Sequence, residues 1–423
     1  MARIMKIFKD KIIITVLVLS AALRIFYLLG TEYNERTYDV TEGGGHLDYI
    51  RYLAENYKLP DPTSGWEYHQ PPLYYISGAI VYKFSQTFHI NFYKTLQILS
   101  FFYFYVFIVF GILILRNIIE NKRLFYLSTA VLAFWPSGII HSARIGNDAM
   151  LYAFYAACLY FILRWHKEKN VKLLYFSVFI FSAAILIKAN AIALAGVIAI
   201  SVFLAFFQKY KLPFKHIIIV SFLIIFSILL SFAPKFYGHF KNNKNDWLVG
   251  GALQTMNRRL FVGNGFKNYA YFDANKFIKQ PFTSSWEDWG GRQYFWNYLL
   301  KTSLFGEFSF NNNFQSSLGL VLSWTFLAVL FYGIIGFILG VKKNILIFFN
   351  ALLLLFLIFL FKFKIPSSSN GDFRYIFPSL LSFIPFNSYS LEYFKKTNTV
   401  IFYFGAVASV LFVLLSALFF ILN

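Results

Sequence analysis

A chain of 423 residues that is 58% hydrophobic, 22% aromatic and only 14% charged carries more apolar side chain than the core of a soluble protein of this length can hold. A mean hydropathy of +0.57 points the same way. The formal charge of +20 does not indicate a nucleic-acid partner, because the basic residues fall in short clusters between apolar runs, the pattern that orients membrane proteins. The single cysteine, Cys158, excludes an intrachain disulfide.

Taken in order, apolar runs of near-spanning length fall at residues 12–30, 96–115, 124–140, 150–163, 173–187, 191–207, 217–233, 318–340, 345–361, 375–386 and 400–422. The expected fold is all-α: a polytopic transmembrane helical bundle of about 11 spans, forming a single integral membrane domain over residues 1–423. A further run at 73–88 is apolar but carries Lys83, Ser85 and Gln86. If it crossed, every later basic connector would lie outside, against the positive-inside rule. It is therefore expected to lie along the outer interface. The N-terminus, with Arg3, Lys6, Lys9 and Lys11, is then cytoplasmic, and the protein is a multi-pass protein of the plasma (inner) membrane.

This topology puts two long loops outside, residues 31–95 and 234–317, and leaves only short connectors in the cytoplasm, too small to build a pocket. In the first loop, residues 46–57 predict a juxtamembrane helix with Leu47, Ile50, Leu53, Ala54 and Tyr57 on one stripe and Asp48, Arg51 and Glu55 opposite. Gly43, Gly44 and Gly45 permit a tight turn before it, and Pro71 with Pro72 stiffens the loop's exit.

Asp39 and Glu42 precede that helix and are candidates for a general base or for a helix cap. With His46 and His69 they also offer carboxylate and imidazole donors for a divalent metal, although the spacing matches no fixed metal motif and no cofactor is expected. His69, fixed by the prolines after it, can donate to a phosphate or orient an acid. Arg144, Asn147 and Asp148 fall at the outer ends of adjacent spans, and capping explains Asp148 but not Arg144 beside it. Lys188 and Arg24, near span ends, are expected to snorkel to the interface. The second loop holds Trp247, Trp286, Trp289 and Trp296, suited to interface anchoring or to a ligand groove. Lys301 precedes the membrane re-entry, where an ammonium meets lipid phosphate, and Arg374 can pair phosphate oxygens or simply Asp372.

Four of these stretches together resemble the C-type polytopic glycosyltransferases, the superfamily of protein O-mannosyltransferases and lipid A aminoarabinose transferases. They are YDVTEGGGHLDYI after the first span, YHQPPLYY closing the same loop, Asn147-Asp148-Ala149 opening a later span, and Arg374-Tyr375 followed by Pro378. The resemblance implies a polyprenyl-phosphate-linked sugar donor, Asp39 as general base with Glu42 as runner-up, and Lys301, Arg374 or Arg144 near the lipid phosphate. The chain departs from the pattern in three ways. Its acids are three apart rather than adjacent, Gln70 stands where aminoarabinose-type relatives have a lysine, and the soluble C-terminal domain of some members is not expected.

An outward site has no nucleotide sugars, so the expected function is transfer of a sugar from that lipid to an acceptor hydroxyl of a glycan, lipid or protein, with inversion. The rival readings are a secondary transporter, and a polysaccharide polymerase or ligase using diphosphate-linked oligosaccharide.

Overall fold

The structure is a computed structural model, and it describes residues 9–37, 40, 43–208, 212–242, 260–286, 294–310 and 312–422, with the side chains of 238, 239, 241 and 242 excepted. In chain order its helices are α1 (Lys11–Gly30), α2 (His46–Asn56), α3 (Leu73–Thr87), α4 (Phe92–Ile118), α5 (Lys122–Ala133), α6 (Pro136–Ala143), α7 (Asp148–Glu168), α8 (Val171–Ile185) and α9 (Ile192–Phe207). There follow α10 (Phe214–Asn242), α11 (Phe266–Ala270), α12 (Ala274–Lys279), α13 (Phe295–Phe305), α14 (Asn313–Lys343), α15 (Ile345–Lys364), α16 (Leu380–Thr397) and α17 (Thr399–Ile421). Two 3-10 segments, Ser368–Gly371 and Phe373–Ser379, link α15 to α16.

The architecture is the expected all-α bundle. Among the described residues seven helices are long and apolar enough to cross a membrane, eight if α5 and α6, bent by 46° at their junction, make one. The bend falls before Pro136, which can open a helix because its missing N–H would have had no partner there. The other predicted spans lie on α7, which ends in charged residues, on α8, which is 15 residues long, and on α16. The tenth predicted span is corrected at its start: residues 375–379 belong to a 3-10 segment, and the α-helix begins at Leu380.

The chain divides into two compact units, one made of Met1–Gly30, Ile108–Ile140 and Arg258–Asn423, the other of Thr31–Phe107 and His141–Asn257. In the first unit α14 packs along α16 and α17. Glycines make the α14–α16 approach possible: a Cβ at Gly336 would strike the Phe386 carbonyl, and one at Gly333 or Gly340 would strike the Phe383 or Phe386 ring. Small residues at such a crossing let backbones meet closely where lipid gives no hydrophobic drive for association. Arg24 does not reach the interface as expected. It is fully buried and folds back on α1, donating from Nη1 to Ser20 Oγ at 2.6 Å and to the Ser20 carbonyl at 3.2 Å.

In the second unit α2 packs on α3, burying Leu47, Ile50, Leu53 and Ala54 as the stripe predicts. Ile50 sits in the space left by Gly78. Tyr57 departs from the stripe. It is the left-handed cap of α2, at φ 52°, and is 83% exposed.

Replacing Gly336 with alanine is expected to cost about 1–3 kcal/mol through overpacking, read as a lower thermal midpoint in detergent. Gly30→Ala, where a Cβ meets nothing within 4 Å, should leave the midpoint unchanged. Equal midpoints for the two variants would contradict the close approach.

Candidate functional site

The second unit gathers polar groups around the end of the first loop. Gly43 and Gly44 adopt positive φ (65° and 85°) and place their carbonyls to accept from Trp66 N–H at 2.8 Å and Glu67 N–H at 2.9 Å. A Cβ on Gly44 would collide with the Gly65 backbone, so this crossing needs a glycine. The crossing fixes Glu67 beside His46. Tyr75 OH lies 2.9 Å from His46 Nδ1 and donates to Glu67 Oε2 at 3.5 Å, and Glu67 Oε2 is 3.9 Å from the imidazole nitrogen. All three side chains are buried. Burial first, and then the Glu67 charge, pushes the Tyr75 hydroxyl well above its ordinary range, so it stays a proton donor.

Asp148 is the first residue of α7, yet its side chain is engaged elsewhere: Oδ1 accepts from Lys188 Nζ at 2.5 Å, with both side chains buried. Lys188 therefore does not snorkel as expected. It is held in an ion pair with a partner 40 residues away. The turn before α7 approaches the first loop, since a Cβ on Gly146 would touch His46 Nε2 at 3.3 Å. Arg144 is buried in that same turn. His69 is pulled down to about 3, first by burial and then by the charge of Lys235, so at neutral pH it is a neutral imidazole rather than a cation. The structure thus brings together His46, His69 and Asp148, and it adds Glu67, Tyr75, Lys188 and Lys235. Asp39 and Glu42 lie outside the described residues. Among the described residues no three His, Cys, Asp or Glu side chains are grouped to hold a metal.

The remaining predicted residues are in the first unit. Arg374 follows Asp372, whose Oδ1 caps the 3-10 segment by accepting from Arg374 N–H at 2.9 Å while Oδ2 lies 3.6 Å from Arg374 Nε. The guanidinium lies over the Tyr375 ring, 5.0 Å from its centre. Tyr298 OH donates to Glu307 and meets Ser285 Oγ at 2.6 Å, while Phe373 N–H donates to Thr302 Oγ1 at 2.9 Å. The last of these contacts ties α13 to the segment after α15, and the Tyr298 bonds tie α13 to the residues that flank it. Lys301 is buried, bonded to Ser323 Oγ at 2.9 Å and set 4.1 Å from the Phe277 ring centre. Its ammonium opens on a narrow polar pocket with Lys276, Gln280, Thr283 and Asn297, and burial lowers its pKa to about 7.

Beside this lies a larger cavity of about 530 Å³ with almost wholly apolar walls. It follows α14 from Phe326 to Phe337, roughly 16 Å at 1.5 Å per residue, and Trp135, Trp296, Ala351, Leu355, Phe373, Ile376 and Phe383 are among its walls. Of the tryptophans weighed for a groove, Trp296 lines this cavity and Trp286 is exposed; Trp247 and Trp289 lie outside the described residues. Because Leu299, Leu300 and Ser303 of α13 face the cavity, Lys301 points to the other side of the helix.

In comparison with known proteins, the family model described as dolichyl-phosphate-mannose-protein mannosyltransferase matches residues 79–232. ArnT from Cupriavidus metallidurans bound to undecaprenyl phosphate superposes with a TM-score of 0.52 at 14% identity, covering 89% of this chain and 60% of that one. The oligosaccharyltransferase of Archaeoglobus fulgidus in the apo form gives 0.54 at 13% identity over 98% of this chain and 56% of that one. The archaeal enzyme AglB from the same organism, in complex with an inhibitory peptide and a dolichol-phosphate, gives 0.52 at 13% identity, covering 97% of this chain and 56% of that one. The chain therefore spans less than two thirds of the length of these structures. No curated protein sequence matches it. The chain shares the fold of these solved structures, in keeping with the resemblance that the four motifs carry.

Breaking the Asp148–Lys188 pair on one side leaves a buried charge unmatched. Lys188→Met is expected to cost about 3–5 kcal/mol, measured by thermal unfolding, and the double variant Asp148→Asn/Lys188→Met is expected to regain part of that loss. Additive losses would contradict the coupling.

Proposed function

We propose that this protein is a membrane glycosyltransferase that moves a sugar from a polyprenyl-phosphate carrier to an acceptor hydroxyl on the outer face of the plasma membrane. The observation that carries this reading is the apolar cavity beside Arg374, in the fold of proteins two of whose structures hold undecaprenyl phosphate and a dolichol-phosphate. A cavity of about 530 Å³ with almost wholly apolar walls suits a hydrocarbon chain.

The chemistry follows from the charges. Asp39 takes the proton of the acceptor hydroxyl, and the oxygen attacks the anomeric carbon from the face opposite the phosphate. The new C–O bond forms as the bond to the phosphate oxygen breaks, and the polyprenyl phosphate leaves with the electron pair. Cations then stabilise the leaving group, the kind of electrostatic term that dominates many such reactions. In this reading the first unit offers Arg374, whose Nε lies 3.6 Å from Asp372 Oδ2, as such a cation for the carrier phosphate. His46, held by Tyr75 and Glu67, and the neutral His69 with Arg144 and Asp148 supply hydrogen bonds for sugar or acceptor hydroxyls.

In cells lacking the protein, mass spectrometry should find a monophosphate-linked monosaccharide accumulating on polyprenol and a glycan missing from the envelope. The wild-type gene should reverse both, and Asp39→Asn should not. Accumulation of diphosphate-linked oligosaccharide would move the assignment to a polymerase or ligase. Full rescue by Asp39→Asn would remove the base.

Lys301 carries a charge below about pH 7 and loses it above. Transfer activity that uses this charge should fall on the alkaline side of pH 7, and Lys301→Arg, which stays protonated, should hold its activity through pH 9, about the top of the measurable range. Identical alkaline limbs for the two proteins would exclude Lys301 from the donor or acceptor site.

A further inference from the structure

Lys362 was not singled out by its place in the sequence, where KFK closes an apolar run and reads as an ordinary span end. The structure sets it apart from its neighbour Lys364, which is exposed. Lys362 is 2% exposed and continues the buried stripe of α15, after Asn350, Ala351, Leu354 and Ile358. Its Nζ has no hydrogen-bond partner among the described residues. The acids of the adjoining segments are engaged, Asp372 with Arg374 and Glu307 with Tyr298. A buried ammonium without a counter-ion costs several kcal/mol in desolvation, and the dipole of the helix end returns about 1 kcal/mol at most in ordinary settings. Such a residue is retained where something else supplies the anion.

Its position says what that is. Ala351 and Leu355 carry the α15 side of the apolar cavity. Lys362 comes eleven and seven residues after them, and at about 100° per residue it returns to within roughly 20° of each, about 10 Å beyond Leu355 along the helix. That displacement runs toward the end of α15 that leads into Phe373 and Ile376, which also line the cavity. Phe361 packs on Tyr375 with ring centres 5.0 Å apart, and Tyr375 carries the Arg374 guanidinium. Past this end of the cavity, outside its walls, stand one cation matched by a carboxylate, Arg374, and one, Lys362, whose Nζ has no hydrogen-bond partner among the described residues.

The geometry points to Lys362 as the residue that binds the phosphate of the carrier lipid, with the polyprenyl tail in the cavity below it. This assignment rests on the lipid-donor reading. The phosphate restores to the ammonium the solvation that burial removed, so the site selects the phosphorylated lipid over the uncharged alcohol with the same tail. It also prefers a single chain, since the cavity runs along one groove of α14.

The test uses the full chain in nanodiscs and measures affinity for polyprenyl phosphate, for the matching polyprenol, and for dioleoyl phosphatidic acid, in wild type, Lys362→Gln and Lys362→Arg. The wild type should prefer polyprenyl phosphate to both other lipids. Lys362→Gln should lose about ten- to a hundred-fold in affinity for it and keep its polyprenol affinity, which also shows that the cavity is intact; Lys362→Arg should recover most of the loss. Unchanged phosphate affinity in Lys362→Gln, with the wild-type preference present, would overturn the role of Lys362 and leave the lipid-donor reading standing. A wild type that does not distinguish polyprenyl phosphate from polyprenol would overturn both. A preference for phosphatidic acid would overturn the assignment in favour of a bulk-lipid site.

Discussion

Burying charge in an apolar protein is the constraint on which the rest of this structure depends. Desolvating an ion is offset only by a close partner, and the chain meets that requirement in different ways at different places. Asp148 and Lys188 neutralise each other at 2.5 Å, and Arg24 turns back on Ser20. Asp372 orients Arg374, and Tyr298 donates to Glu307. The Asp148–Lys188 pair also does structural work, tying the α7 start to the turn after α8. Where the compensation is incomplete, as at Lys301 and Lys362, the residue borders a pocket or continues the wall of one.

The packing that makes the cavity comes from the same economy of side chain. Gly333, Gly336 and Gly340 bring α14 against α16 on one side, and the bulky rings of Phe326, Phe337, Phe383 and Phe386 leave a gap along the groove rather than filling it. In water such a gap would be costly; bordered by membrane-length helices, it is a space that a hydrocarbon chain can occupy. Polar recognition is built separately, by glycine-allowed backbone crossing at Gly44 and Gly65 in the second unit and by 3-10 turns in the first.

Much of the fold was legible in the sequence because hydrophobicity and length decide which segments become helices here. The stripe of α2 was readable down to Ala54, and Tyr57 escaped it because a left-handed cap turns the chain away. The all-α class followed from the apolar runs and their lengths, and the likeness to the ArnT and oligosaccharyltransferase fold from motif order. What could not be read were the pairings. Nothing in the local pattern links Lys188 to Asp148, so both looked like span-end residues. Glu67 and Tyr75 stood in the right loop, yet their contact with His46 needed the Gly44 crossing to be known. Lys362 was hidden by its basic neighbour, and only the buried face of α15 distinguishes it. Lys301 was expected near the lipid phosphate, and its direction, away from the apolar cavity, is set by the helix phase of α13.

The account stands on a lipid carrier with one phosphate, and the most direct measurement is mass spectrometry of the lipids that remain with the protein after extraction from its own membrane in a mild detergent. The account predicts polyprenyl phosphate, free or carrying one sugar, enriched far above its share of the membrane lipids. Bulk phospholipids in membrane proportion, with no polyprenyl species retained, would contradict it.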